Sequence, residues 1–358
     1  MLSVKKMRVL AVAALVSTAM PATAQALPAR QTTGVACGDV TELIERITEA
    51  NARGGGSILL APGCTYVLHA PAGTEGANGA SGLPAITGNL TITGDRTTIS
   101  RAGSAAFRIA EVAGGGSLTL KGVTVSGGSA TEGSGTAGGG ILTEGTLVLV
   151  DSRITQNTAS GLGGGIAVAP GATASLRSST VSENNGGDGG GIHVGESARL
   201  TVAGGTVEGN TAVFTGGGLA TFGTTVLSGT EVVANSTRNF EGGGVIAGFG
   251  PLTVSGGRVA ENVAASSGGG IANFGSTLRL VNANVDNNRA GADGGGLYQQ
   301  AGSSTLVGGR VSGNQAGGQG GGIFRVTTSG PSVLAGTQVS GNSPDNCAPS
   351  GAVPGCAP

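Results

Sequence analysis

The chain has 358 residues, of which 73 are glycine, none is tryptophan and 11% are charged. Collagen is excluded because no Gly-x-y period runs through the sequence, and disorder is excluded because Val, Ile and Leu recur at regular positions. With 19 basic and 20 acidic residues the formal net charge is −1, so nucleic acid and anionic lipid are poor electrostatic partners.

Residues 1–26 have the pattern of a secretory signal peptide. Lys5, Lys6 and Arg8 precede an apolar run from Val9 to Val16, and Ala24-Gln25-Ala26 fits an A-x-A cleavage site. The run is shorter than the roughly 20 residues that a membrane helix needs. We therefore expect export and cleavage, a mature chain without a membrane span, and a secreted product that is either free or associated with the cell surface.

Residues 27–56 are expected to hold a linker and an amphipathic α-helix that caps one end of the fold. The segment from Asp39 to Glu42 fits a capping box, with Asp39 as N-cap and Glu42 reaching back to it. Gly54 to Gly56 would end the helix. One helical face carries the apolar residues Val40, Leu43, Ile44 and Ile47.

Residues 57–342 contain two markers that repeat about every 26 residues. The first is Gly-Gly-Gly followed by an aliphatic residue: Ile141, Ile166, Ile192, Leu219, Val245, Ile271, Leu297 and Ile323. The second is a β-branched residue followed three positions later by an asparagine: Asn157, Asn184, Asn210, Asn235, Asn262, Asn288, Asn314 and Asn342. Two independent markers with one period indicate stacked structural repeats.

Each repeat contains three short apolar segments separated by Gly, Ser, Thr and Asn turns, which predicts three short strands per coil. Strands of this length bury an apolar face only when each lies parallel to its copy one coil later, roughly 4.8 Å away. We therefore predict an all-β solenoid, a right-handed, three-sided parallel β-helix of at least eight coils. The asparagines are expected to hydrogen-bond in a ladder, and the glycines to permit positive φ and close approach of coils.

The region after the leader contains four cysteines, which are Cys37, Cys64, Cys347 and Cys356. In an exported chain they suggest two disulfides with three possible connectivities, of which local pairing is the simplest. Residues 343–358 would then form a disulfide-closed cap at the far end. A metal site is the competing interpretation, and it has little support because His69 alone lies near a cysteine. We assign no metal and no cofactor.

The repeat over residues 138–342 resembles that of polymorphic outer membrane proteins, in which Gly-Gly-Ala-Ile alternates with Phe-x-x-Asn. The segment Gly270-Ile271-Ala272-Asn273 is the closest match. The resemblance implies a β-helix of the pectate-lyase-like superfamily and, because those proteins are adhesins, a role in adhesion. Those proteins end in a translocating β-barrel, which we do not expect here. In that respect the chain is similar to barrel-free, disulfide-capped secreted β-helix proteins of high-GC Gram-positive bacteria.

The residues before the glycine triplets are the candidate catalytic groups. Asp188, Glu241 and Asp293 fall on every second coil, which places neighbouring carboxylates roughly 9.6 Å apart. Inverting glycosidases separate their two carboxyls by about 6.5–9.5 Å, so Asp188 and Glu241 are a candidate acid–base pair with His193 nearby. The competing interpretation is that acidic residues alternate with Thr and Ser to avoid stacking like charges.

Two kinds of β-helix enzyme are disfavoured by the motifs of this chain. It lacks the Asn-Thr-Asp, Asp-Asp and Ser/Gly-His-Gly motifs of galacturonase-type enzymes. It also lacks the clustered aspartates with which pectate lyases bind calcium. The sequence therefore favours a non-catalytic protein, although it does not exclude catalysis.

Aromatic residues supply the candidate ligand-binding positions. Phe222, Phe249 and Phe274 lie on three successive coils, where they would form either a platform for sugar rings or a packing ladder over one corner of the core. Tyr298 and Phe324 should point outward by strand alternation. His193, on the same outer face, is expected to be a solvated residue.

The sequence thus predicts a non-catalytic secreted or surface-associated scaffold that binds a polysaccharide or another cell-surface component, or contributes to adhesion. The alternative is a polysaccharide lyase or glycoside hydrolase that uses Asp188 and Glu241. A third possibility is a purely structural extracellular protein without a ligand.

Overall fold

A computed structural model describes residues 33–72, 78–131 and 137–357. The predicted signal peptide, residues 1–26, lies outside the described residues. The described chain is a parallel β-solenoid of about 12 turns with one α-helix. The predicted all-β solenoid with an N-terminal helix is confirmed, whereas its right hand and three-sided cross-section stay predictions.

The helix spans Val40–Ala52 and lies against the first strands of the solenoid. Asp39 is its N-cap, and the Asp39 carboxylate accepts a hydrogen bond of 2.9 Å from the Glu42 backbone N–H. The predicted reciprocal bond is wrong, because the Glu42 carboxylate accepts from the backbone N–H of Ala36 at 3.2 Å. The helix buries Leu43, Ile47 and Ala50.

The strands stack in columns, in which each strand pairs in parallel with its copy one repeat later. In the first column, for example, Ile166 pairs with Ile192, which pairs in turn with Leu219. This column contains Ala110–Val112, Ile141–Thr143, Ile166–Val168, Ile192–Val194, Leu219–Thr221, Val245–Ala247, the first parts of Ile271–Val281 and Leu297–Val307, Ile323–Arg325 and Cys347–Ala348. From Ile141 to Ile323, each strand of this column begins directly after a glycine triplet.

Two further columns contain the other two strands that the sequence predicted for each coil. The second contains Thr33–Val35, Gly55–Leu60, the first parts of Asn89–Arg101 and Ser117–Ser126, Thr146–Val150, Thr173–Arg177, Arg199–Ala203, Thr224–Ser228, Leu252–Ser255, the second parts of Ile271–Val281 and Leu297–Val307, and Ser332–Ala335. The third contains Thr65–Leu68, the second parts of Asn89–Arg101 and Ser117–Ser126, Arg153–Thr155, Thr180–Ser182, Thr206–Glu208, Glu231–Val233, Arg258–Ala260, Asn284–Asp286, Arg310–Ser312 and Gln338–Ser340.

A fourth column of two-residue strands forms a separate eight-stranded sheet. It contains Ser129–Ala130, Thr158–Ala159, Asn185–Gly186, Thr211–Ala212, Ser236–Thr237, Val263–Ala264, Arg289–Ala290 and Gln315–Ala316. Each strand precedes a glycine triplet, and every strand except Ser129–Ala130 follows a corner asparagine. Turns were predicted at these positions from the sequence.

A continuous ladder of buried asparagines runs along the solenoid, as predicted. The Nδ2 group of each asparagine donates to Oδ1 of the asparagine on the next coil at 2.9–3.0 Å, from Asn157 through to Asn342. The same Oδ1 also accepts the backbone N–H of the preceding asparagine. Every amide is thus bonded on both sides, which fixes the register of consecutive coils.

Both ends of the described solenoid are closed by disulfides, Cys37–Cys64 and Cys347–Cys356. Local pairing of the four cysteines is therefore confirmed. The first coil buries Tyr66, whose hydroxyl donates to the Val35 carbonyl at 3.0 Å. Within the described ranges, no helix is both long and apolar enough to cross a membrane.

Candidate ligand-binding face

The outer face is defined here as the middle residues of six first-column strands: His193, Ala220, Ile246, Ala272, Tyr298 and Phe324. Their strand neighbours, such as Ile192 and Val194, belong to the core. Ala220, Ile246 and Ala272 form a second apolar cluster that is separate from the core. Since successive side chains of a strand point to opposite sides, these six side chains point away from the core, as predicted for Tyr298 and Phe324.

The floor of the outer face consists of Ala220, Ile246 and Ala272. Ala220 and Ala272 have no exposed surface, and Ile246 is also buried. Phe222, Phe274 and Tyr298 pack against them. Larger side chains therefore cover the floor, and the ligand-accessible surface consists of those side chains and the two edges beside them.

The aromatic edge, which follows the first-column strands, consists of Phe222, Phe249 and Phe274. Phe222 packs beside His193, with ring centroids 5.6 Å apart, and Phe274 beside Tyr298, at 6.1 Å. A Cβ on Gly248 would collide with the Phe222 ring, so this glycine makes room for it. Phe249 is 73% exposed. Phe222 and Phe274 are thus partly packed, whereas Phe249 offers a free ring.

The aromatic contacts continue to the end of the outer face. Tyr298 and Phe324 are stacked, with ring centroids 5.6 Å apart and an angle of 17° between the rings. Both residues are half-buried. The aromatic surface of the outer face therefore extends over the last two glycine-triplet coils.

The acidic edge, which precedes the glycine triplets, consists of Asp188, Glu241 and Asp293. Oδ1 of Asp188 accepts the Thr215 hydroxyl at 2.6 Å and the Thr215 backbone N–H at 3.2 Å. Oδ1 of Asp293 accepts the Gln319 backbone N–H at 2.8 Å. Each carboxylate is thus oriented by the next coil, and within the described residues its second oxygen, Oδ2, has no hydrogen-bond partner.

Glu241 has the same arrangement, because its Oε1 accepts the Ser266 hydroxyl at 3.4 Å and its Oε2 has no partner within the described residues. The backbone N–H of Gly189 donates to the Thr215 carbonyl, and that of Gly216 donates to the Glu241 carbonyl. Two coil steps therefore lie between the backbones of Asp188 and Glu241, roughly 9.6 Å along the stack, and the distance between their carboxylates stays a prediction.

The electrostatics of Tyr298 connect the acidic edge to the floor. Burial raises the pKa of the Tyr298 hydroxyl above its usual value, and the negative charges of Asp293 and Glu241 raise it further. Both carboxylates therefore act on this hydroxyl, which stays neutral at physiological pH. The acidic edge and Tyr298 therefore belong to one surface.

The expectation that His193 is solvated is wrong. The side chain is only 8% exposed, because Phe222 of the next coil packs beside it. Burial lowers the pKa of His193 to about 4, although the nearby Asp188 carboxylate acts in the opposite direction. At neutral pH this imidazole is uncharged and largely shielded from solvent.

Two further aromatic residues, which the repeat pattern did not indicate, extend the acidic edge. Phe214 and Phe240 lie directly before Thr215 and Glu241, and their ring centroids are 6.2 Å apart. They are 44% and 47% exposed. The available signal was a phenylalanine at the same turn position of two consecutive coils, in turns otherwise made of small and polar residues.

A metal site is not seen in residues 33–72, 78–131 and 137–357, where no three His, Cys, Asp or Glu side chains are placed to hold an ion. Comparisons with protein-family models, curated proteins and solved structures find no match. The resemblance to polymorphic outer membrane proteins therefore depends on the repeat pattern alone.

Proposed function

We propose that this protein is a secreted, non-catalytic β-helix scaffold that binds a polysaccharide along its outer face. The observation that carries the proposal is the exposure of three phenylalanine rings, Phe214, Phe240 and Phe249, in the turns before and after the first-column strands. Clustered exposed aromatic residues mark interaction sites because water contact with such rings is unfavourable. The two disulfides are consistent with an extracellular protein.

A polysaccharide fits the shape and the chemistry of this face. The apolar C–H face of a sugar ring packs on an aromatic ring, while hydroxyl groups at its rim bond to polar side chains. The outer face and its edges offer exposed rings, the carboxylates of the acidic edge and the hydroxyl of Tyr298. The carboxylates recur on every second coil, roughly 9.6 Å apart along the stack. A repetitive ligand that extends along the coils therefore meets a carboxylate at every second coil.

The contacts of the acidic edge support binding over catalysis. A general acid or base exchanges its proton with the substrate and usually sits in an environment that shifts its pKa towards the working pH. Here one oxygen of each carboxylate is held by the next coil. His193 is buried and uncharged at neutral pH. These groups fit a fixed surface better than a proton-transfer pair.

The test is binding of the purified protein to a panel of neutral, cationic and anionic polysaccharides, by affinity electrophoresis and titration calorimetry. Phe249→Ala and Phe240→Ala are each expected to weaken binding of the ligand by about tenfold, because stacking on one exposed ring contributes roughly 0.5–1.5 kcal/mol plus its apolar burial. Val333→Ala is the matched control: Val333 is 47% exposed and lies in the second column, off the outer face.

Binding that weakens in both phenylalanine variants and is unchanged in Val333→Ala would support the proposal. No binding across the panel, or equal binding by all variants, would refute it and favour a purely structural protein. The separation of Asp188 and Glu241 keeps a glycoside hydrolase or lyase as the second candidate. Product release by the wild type that Asp188→Asn abolishes would establish that alternative and overturn the scaffold.

A further inference from the structure

We infer that two copies of this chain associate tail to tail, by pairing of β-strands at the C-terminal end of the described solenoid. The surface that pairs, here called the tail edge, consists of Ser332–Ala335 and Gln338–Ser340, the last strands of the second and third columns. Neither strand belongs to the outer face, so the inference stands apart from the proposed function.

Both strands of the tail edge lack a neighbour on one side. Ser332–Ala335 pairs with the second part of Leu297–Val307, and Gln338–Ser340 pairs with Arg310–Ser312. In the part of the chain that the structure describes, no strand pairs with their other sides. The last coil is therefore the only one in these two columns that has a strand before it and none after it, among the described residues.

The open side of the tail edge presents backbone hydrogen-bonding groups. The carbonyls of Pro331 and Ala335 accept N–H groups of the preceding coil. Because the backbone groups of successive residues in a strand point to opposite sides, those of Ser332 and Leu334 point to the open side. An unpaired edge of this kind is a template for another β-strand.

The core is also less covered at the tail edge than inside the solenoid. Leu334 and Val339 pack against the core but are only partly buried. The equivalent residues one coil earlier, Leu306 and Val311, are each 1% exposed. On the other side of its strand, Val333 is 47% exposed. A second copy would cover this apolar surface as the next coil covers it elsewhere, which favours association.

The tail edge lacks the features that keep natural edge strands apart. Soluble proteins protect open edges with charged side chains, prolines or bulges. Neither strand contains a proline, and no charged residue occurs in residues 331–343. Pairing of both strands with the preceding coil runs without a register shift. Two identical tail edges can therefore approach each other without repulsion between like charges.

The opposite end of the described solenoid directs a second copy to the tail edge. The helix Val40–Ala52 lies against the first strands and exposes the charged side chains of Glu45 and Glu49. Burial of these carboxylates under a second copy would carry a desolvation cost. The tail edge therefore meets the tail edge of the other copy. Identical strands are complementary to each other when they run antiparallel about a two-fold axis, which gives a closed dimer.

The experiment is sedimentation equilibrium of the purified protein from low micromolar to sub-millimolar concentration. We expect a reversible equilibrium between monomer and dimer, with the monomer predominant at the lowest concentrations, because short edge strands form a small interface and small interfaces are weak. Growth beyond the dimer is not expected, since pairing about a two-fold axis uses up the tail edge of both copies.

Variants of Val333 test which end pairs. The strand Ser332–Ala335 has four residues, so antiparallel pairing with its own copy keeps the two Val333 side chains close to each other. Val333→Lys and Val333→Glu should each weaken the dimer by at least about tenfold, because like charges then face each other. An equimolar mixture of the two variants should restore the dimer, because opposite charges meet. Val333→Ala adds no charge and should dimerise like the wild type.

Leu59→Lys is the matched control. Leu59 is 45% exposed in Gly55–Leu60, a second-column strand near the helix-covered end. The same charge placed there should leave the dimer unchanged. Melting temperatures of all variants should match that of the wild type, because the substituted side chains are exposed and the fold keeps its core.

A dimer that both charged variants weaken and that their mixture restores would support the inference. A protein that stays monomeric at every concentration would overturn it. Weakening by Leu59→Lys but not by Val333→Lys would place the contact at the other end, and assemblies that grow beyond the dimer would exclude two-fold pairing. A mixture of Val333→Lys and Val333→Glu that stays as weak as either variant alone would also overturn the pairing of the two tail edges.

Discussion

Replacement of Asn235 by alanine tests the buried ladder that fixes the coils in register. Asn235 is fully buried at the middle of the ladder. Its Oδ1 accepts the backbone N–H and the Nδ2 group of Asn210, both at 3.0 Å. Its Nδ2 donates to the Val207 carbonyl at 2.9 Å and to Oδ1 of Asn262 at 3.0 Å. The Asn235→Ala substitution removes all four bonds at once.

The expected loss of stability follows from the groups that remain. Two buried donors of Asn210 lose their acceptor, whereas Oδ1 of Asn262 keeps the backbone N–H of residue 235. A buried donor without a partner costs about 1–3 kcal/mol. We therefore expect the Asn235→Ala substitution to lower the free energy of unfolding by about 2–6 kcal/mol.

The assay is equilibrium unfolding in guanidinium chloride, followed by far-ultraviolet circular dichroism, with the midpoints compared at equal slope. Asn342→Ala is the matched control, because Asn342 makes the same kind of bonds at the partly exposed end of the ladder. Water can reach the groups freed there, so the cost should be less than half as large. An Asn235→Ala variant that loses less than about 0.5 kcal/mol, or no more than Asn342→Ala, would refute a buried ladder.

Two further predictions concern the outer face. His193 has a pKa lowered to about 4 in the folded chain, so between that value and the usual 6.5 the unfolded chain binds a proton that the folded chain does not. The free energy of unfolding should fall by about 3 kcal/mol as the pH drops through this window. Urea unfolding of the wild type and of His193→Gln at several pH values isolates this effect, because only the wild type carries the imidazole. Equal pH dependence of the unfolding free energy in the two proteins would contradict it. Gly248→Ala should displace the Phe222 ring and lower the free energy of unfolding by about 1–3 kcal/mol. Gly114→Ala is the control and should be tolerated, because a Cβ added there meets no neighbouring atom within 4 Å. Similar melting temperatures for the two variants would contradict the tight packing of Phe222.

The repeat pattern was sufficient to predict the main strands and the ladder. Glycine triplets and corner asparagines impose local requirements, positive φ and amide stacking, that recur on every coil and so appear as a period. Strand pairing between copies follows because apolar segments this short need a neighbour to bury their faces. The local disulfides followed from the positions of the cysteines near the two ends of the folded region.

The fourth column and the details of the outer face could not be read in the same way. Strands such as Thr211–Ala212 are two residues long and carry no alternation of apolar and polar residues, so they look like turns. The burial of His193 depends on Phe222 from another coil. Phe214 and Phe240 occur on two coils only, so no period points to them, and their exposure emerges from the fold rather than from the pattern.

The measurement that tests the stacking of the coils most directly is a pair of distances between spin labels on second-column positions. Arg177, Ala203 and Ala335 are exposed and occupy equivalent positions of paired strands, six and five coil steps apart from Ala335. Labels on Arg177→Cys/Ala335→Cys and on Ala203→Cys/Ala335→Cys should be about 29 Å and about 24 Å apart, with narrow distributions, so that the difference equals one strand spacing. Broad distributions, or two distances that do not differ by about 4.8 Å, would contradict the in-register solenoid and the continuous outer face that depends on it.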